Sequence, residues 1–155
     1  MQAVIEGMGA DSETQIDGSG GDGRPVERLA TFVSSLSYGD LSAEDVRAVE
    51  RAFVDSCGVV ISGMNEASTA TAIETLAEPG AVSLWGQDRG TSTAAAALVH
   101  GVAGHSQDYD DVSWGMSGHP SVTMIPAVLA LANDREVDGK RAIEAYVGGL
   151  EAQCY

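Results

Sequence analysis

Lysine is almost missing from this 155-residue chain. Lys140 stands alone, and seven arginines bring the cations to 8 against 23 Asp and Glu, a formal net charge of −15. A field of that sign repels phosphate backbones and anionic lipid surfaces, so the expected partners include no nucleic acid and no membrane, leaving small molecules or other protein chains. An acidic, lysine-poor surface of the halophilic type also keeps a protein soluble where salt screens charge. Cysteine is equally scarce. Cys57 and Cys154 lie far apart and neither belongs to a Cys-x-x-Cys pair, so neither a metal knuckle nor a disulfide framework is indicated and a reducing setting is expected. The longest nearly apolar run, 122–132, contains Thr123 and Pro126 and falls well short of the ~20 residues that span a bilayer. No basic segment followed by an apolar one opens the chain as a secretion signal would, and the expected location is cytoplasmic. Recognised catalytic signatures are also missing. Gly86 and Gly90 are not part of a Gly-x-Gly-x-x-Gly or Walker pattern, there is no His-Glu-x-x-His, and Ser117 sits in Gly-x-Ser-Gly rather than a nucleophile elbow.

What is present is enough for one folded domain, because 44% of the residues are hydrophobic and the length suits a single core. Residues 1–24 mix glycines 9, 18, 20, 21 and 23 with Asp11, Glu13, Asp17 and Asp22 and predict a flexible acidic tail. From 25 the periodicity is helical. Pro25 suits a first helical position, and Leu29, Phe32, Val33 and Leu36 form a short stripe that ends near Tyr38-Gly39. Ser42 with Asp45 reads as an N-cap before a second stripe, Val46, Val49, Phe53, Cys57 and Val60. A third helix is expected over 67–76, stopped by Pro79-Gly80. Residues 81–86 alternate weakly, as a short extended segment would. An alanine-rich helix over 92–104, with side chains small enough for close helix contact, is expected at the centre and delivers His105 and Asp108 at its C-terminal end. After a loop over 110–119, a helix through Ile125, Val128, Leu129 and Ala132 should bend at Pro126 or start near it. Asp138 caps a last helix carrying Ile143, Tyr146, Val147 and Leu150. The predicted class is all-α.

Chemistry concentrates in His105-Ser106-Gln107-Asp108-Tyr109-Asp110-Asp111, followed by Gly118-His119-Pro120-Ser121. Titratable groups gathered between two apolar helices suit a partly desolvated site; a solvated acidic loop with a capping histidine reads equally from spacing. His105, Asp108, Asp110 and His119 also have the donor types for zinc, iron or manganese, though their spacing matches no strong metal signature. His100 does not share a helix face with His105 and reads as structural.

The run Ala96 to Asp111, then Gly118-His119-Pro120-Ser121, then Pro126-Ala127 and Gly139 to Glu151, resembles the MmgE/PrpD family, which includes 2-methylcitrate dehydratase and cis-aconitate decarboxylase. The resemblance implies the N-terminal part of a helical domain over 25–155 with the smaller lid domain absent, homodimers, no metal and no organic cofactor. It places Asp108 and His119 as catalytic residues, with His105, Ser113 and Ser121 toward a small polycarboxylate substrate. Elimination or decarboxylation passes through a carbanion-like species, and an imidazole suits the proton transfer. Relatives often carry Thr after the Asp-Asp pair, where this chain has Val112-Ser113. The chain covers about the first third of the family pattern, whose later lysines and second histidine would offset substrate charge. The lone chain is therefore expected to be inactive and to need self-association or a completing partner chain. The alternative is a non-catalytic helical interaction module derived from the same family.

Overall fold

The helices begin where side chains satisfy the free amides of their first turns. In the computed structural model, which describes residues 24–76 and 78–154, helix α1 spans Pro25–Ser35. The Arg24 backbone N–H donates to Glu27 Oε2 at 3.2 Å, and Pro25 sits where its missing N–H costs nothing. A 3₁₀ turn, Tyr38–Asp40, follows, so α1 ends earlier than the sequence stripe suggests and Leu36 packs from beyond it. Helix α2, Ala43–Gly63, opens on the Ser42–Asp45 capping box: Asp45 N–H donates to Ser42 Oγ (3.1 Å), and Ser42 N–H donates to Asp45 Oδ2 (3.0 Å). Helix α3, Ala67–Leu76, has the expected bounds.

The weakly alternating segment is a strand. β1, Pro79–Ser83, pairs antiparallel with β2, Gly90–Thr91, through a turn that holds Gly86 at a positive φ. Helix α4, Thr93–His105, is capped by Ser92, whose Oγ accepts from Ala95 N at 3.3 Å. Helix α5 runs Pro120–Arg135 and starts six residues before the proline expected to begin or bend it. Pro120 occupies its first turn, so Pro126 lies inside the helix and frees the Val122 carbonyl. Helix α6, Gly139–Cys154, begins at Asp138, whose Oδ1 accepts from Arg141 N at 2.9 Å. Six helices and one small sheet among the described residues make the protein mostly helical, as its patterning predicts. The expected tail lies outside the described residues except for Arg24.

Two apolar clusters share α2 and α5. One gathers Val60, Leu84, Ala96, Val99 and Ala103; the other gathers Val49, Ile125, Tyr146, Val147 and Leu150. The small-residue character of α4 decides how close its neighbours come. A Cβ on Gly63 would collide with the Ala103 backbone, and one on Gly104 would lie 2.9 Å from Val122 Cγ2 and 3.2 Å from Val60 Cγ2. Gly63 lets α2 meet α4 nearly backbone to backbone, and Gly104 makes room for the Val60 and Val122 side chains of α2 and α5. The C-terminal end of α4 and the N-terminal end of α5 are thereby fixed side by side. No helix among the described residues is long and apolar enough to cross a membrane.

Candidate active site

His105 is the last residue of α4 and His119 is the N-cap of α5, so two rigid helix ends present the two imidazoles to each other. Their rings meet edge to face with centroids 4.7 Å apart. The thirteen-residue loop between them returns three carboxylates to the same place. Asp108 adopts a left-handed backbone (φ 53°), a conformation aspartate tolerates better than most side chains, and its N–H donates to the His105 carbonyl at 3.1 Å. That tight reversal carries Asp110 back under the histidines.

Asp110 is the centre of the arrangement. Its side chain is only 3% exposed, and Oδ1 lies 3.0 Å from His105 Nδ1 and 3.3 Å from His119 Nδ1. The His105 contact is a hydrogen bond; the His119 contact is close but not aligned as one, and His119 Nδ1 is buried without a hydrogen-bond partner. Asp108 is 79% exposed, and its Oδ1 stands 3.6 Å from His119 Nε2, beyond hydrogen-bonding reach. The carboxylate nearest His119 Nδ1 is thus Asp110, one of the four candidate donors in the sequence, while Asp108 faces outward beside the ring. That Asp110 rather than Asp108 is the buried one depends on the left-handed turn at Asp108.

The remaining acid is structural. Asp111 caps α5: Oδ1 accepts the Ser121 backbone N–H at 3.1 Å and Oδ2 accepts the Ser121 hydroxyl at 2.5 Å. Ser121 Oγ also contacts Tyr146 Oη at 2.8 Å. Tyr146 is fully buried, and burial pushes its phenol above the usual range. Ser121 is therefore brought near the histidines with its hydroxyl already engaged. Ser113 is buried too, and its backbone forms a two-bond bridge with Gly118 (2.8 and 3.2 Å) that pinches the loop and leaves Trp114 90% exposed at the tip. Gln107 ties the first half of the loop down, accepting from Ser62 Oγ (2.7 Å) and donating to Glu66 Oε1 (2.9 Å).

His100 stands apart. It is buried, stacks on Trp85 at 4.5 Å, and its Nε2 accepts the Trp85 backbone N–H at 3.1 Å, which assigns its proton to Nδ1. Desolvation holds its pKa down at about 4. A cleft of about 710 Å³ runs along α2 past Arg47, Arg51 and Val54 to Asp111 and is lined by neither His105 nor His119. Lys140 lies over the Tyr38 ring, 5.2 Å from its centroid.

One donor atom from each of His105, Asp108, Asp110 and His119 lies within 4.8 Å of the others, a set whose chemistry suits a proton relay or a borderline divalent metal. Among known proteins, residues 27–155 match the MmgE/PrpD N-terminal domain. Cis-aconitate decarboxylase of Homo sapiens is 29% identical over 141 residues, covering 83% of this chain and 28% of that protein. The chain thus spans less than a third of the length of the curated relative it matches.

Proposed function

The chain belongs to the MmgE/PrpD family, and from that membership we propose that it supplies the acid–base residues of a lyase acting on a small polycarboxylate. The observation that carries this reading is one buried carboxylate, Asp110, lying within 3.3 Å of an imidazole nitrogen from each of two helix ends. With Nδ1 of each ring turned to Asp110, each Nε2 is left for a substrate. Dehydration needs a base to take the proton from a carbon beside a carboxylate and an acid to protonate the departing hydroxyl, which leaves as water as the double bond forms. Decarboxylation needs only the acid: the carbon–carbon bond breaks, carbon dioxide leaves, and the carbanion takes the proton. His119, half-buried at the α5 N-terminus, is assigned the proton transfer. Asp108, exposed beside it, orients a substrate hydroxyl, and His105 contacts substrate from the other side. Ser113 and Ser121 contribute by fixing the loop.

A polycarboxylate needs cations around it. Arg47 and Arg51 lie along the α2 cleft with Glu50 and Asp55 interspersed, so further positive charge is assigned to segments of the kind the longer relative carries. The exposed face of α2, with Val54 and Ile61, is assigned to contact with such a segment or with a second chain. The test is titration of the chain with cis-aconitate, followed by shifts of the histidine ring signals in NMR spectra. The expected result is saturable binding that moves His105 and His119 but not His100 and is lost in Asp108→Ala. Binding unaffected by that substitution would remove Asp108 and assign the ligand elsewhere.

A further inference from the structure

We propose that His105, Asp108, Asp110 and His119 form a binding site for a borderline divalent transition metal such as zinc, and that the metal enters as an antagonist of the acid–base chemistry rather than as its cofactor. The metal site rests on geometry alone; the antagonism rests on the role given to His119 above.

Adjacent ligands in a zinc tetrahedron with bonds of about 2.0–2.1 Å lie roughly 3.3 Å apart. A histidine holds an ion through one ring nitrogen, and through Nδ1 the contacts to Asp110 Oδ1 are 3.0 Å for His105 and 3.3 Å for His119. Both are near that value, and each of the four residues offers one donor atom within 4.8 Å of the others.

Two neutral imidazoles and two carboxylates carry a charge of −2, which a dication cancels. The case for such a charge is strongest at Asp110, whose carboxylate is almost sealed from water. His119 adds an independent sign: its Nδ1 is buried and makes no aligned hydrogen bond. A nitrogen in that state leaves a coordination position for a water or an ion. The histidines stand on helix ends and need no ordering to bind, whereas the exposed Asp108 is free to close over the ion. Mixed nitrogen and oxygen donors favour zinc, cobalt or nickel over magnesium and calcium, which prefer oxygen alone. A bound ion would use the imidazole lone pairs that proton transfer requires.

The test is titration of the purified chain with zinc chloride by calorimetry, with cobalt chloride as a spectroscopic probe and magnesium chloride as the comparison. One equivalent of zinc is expected, cobalt should give the intense visible bands of a tetrahedral site, and magnesium should give no comparable heat. Asp108→Asn and His105→Gln, both at exposed positions, should each weaken zinc at least tenfold without changing the far-ultraviolet circular dichroism. No zinc uptake, or uptake indifferent to both substitutions, overturns the site. A second titration measures cis-aconitate binding to zinc-loaded protein, after subtracting chelation measured without protein. Weakened binding supports antagonism, and unchanged binding overturns it. If cis-aconitate fails to bind even without metal, the lyase reading fails, and the zinc titration still decides the metal site.

Discussion

His100 and His119 are both close to apolar helices, yet their surroundings assign them opposite uses. His100 is sealed against Trp85 and kept neutral, with a folded pKa of about 4 against an ordinary 6.5. Above pH 6.5 both folded and unfolded states leave it neutral. As pH falls from 6.5 to 4 the unfolded chain takes the proton and the folded chain does not, so stability is lost across that window, by at most about 3 kcal/mol. Urea unfolding of wild type and His100→Gln should show a stability difference that shrinks as pH goes from 7 to 4; a constant difference would contradict the buried neutral role. Its structural character was readable from its place on α4. Asp110 reads in the sequence only as one of four candidate donors; its burial is not legible, since its neighbours are five residues back through a left-handed turn and nine residues ahead at another helix end. Periodicity speaks for residues within one element and is silent about a carboxylate folded back by a loop.

At the scale of elements, the same distinction separates the caps. Ser42, Ser92 and Asp138 act on amides three residues ahead, a spacing visible in the sequence. Asp111 caps α5 from ten residues away, so it read only as part of an acidic run. For the same reason Pro126, the more conspicuous breaker, competes in the sequence as a helix start, whereas Pro120 begins the helix with Asp111 capping the Ser121 amide and Pro126 lies inside it. Asp111→Ala should cost about 1–2 kcal/mol in chemical denaturation through the lost cap, plus whatever the Ser121–Tyr146 contact adds. Asp111→Asn, which can still accept from the Ser121 amide, should recover much of that loss. Equal stability of the alanine variant and wild type would show that the cap is dispensable.

On the scale of the whole molecule, the pattern of apolar side chains left in solvent matters most. Arg47, Arg51, Val54 and Ile61 share one face of α2, and Trp114 is exposed at the tip of the loop that joins His105 to His119. Light scattering after gel filtration in molar salt, where repulsion among the acidic side chains is screened, should therefore report a dimer or larger assembly. A monodisperse monomer would remove the assignment of that face to contact. The helical class and the location of the histidine loop were legible in composition and pattern, whereas the partner of the α2 face is a property of another surface. The most direct measurement of the central claim is turnover of cis-aconitate by this chain complemented with the remaining segments of a full-length relative, compared with the same complex carrying His119→Ala. The account predicts that the substitution lowers the rate at least about 10²-fold, with the fold unchanged by circular dichroism. An unchanged rate would contradict it and take His119 out of the chemistry.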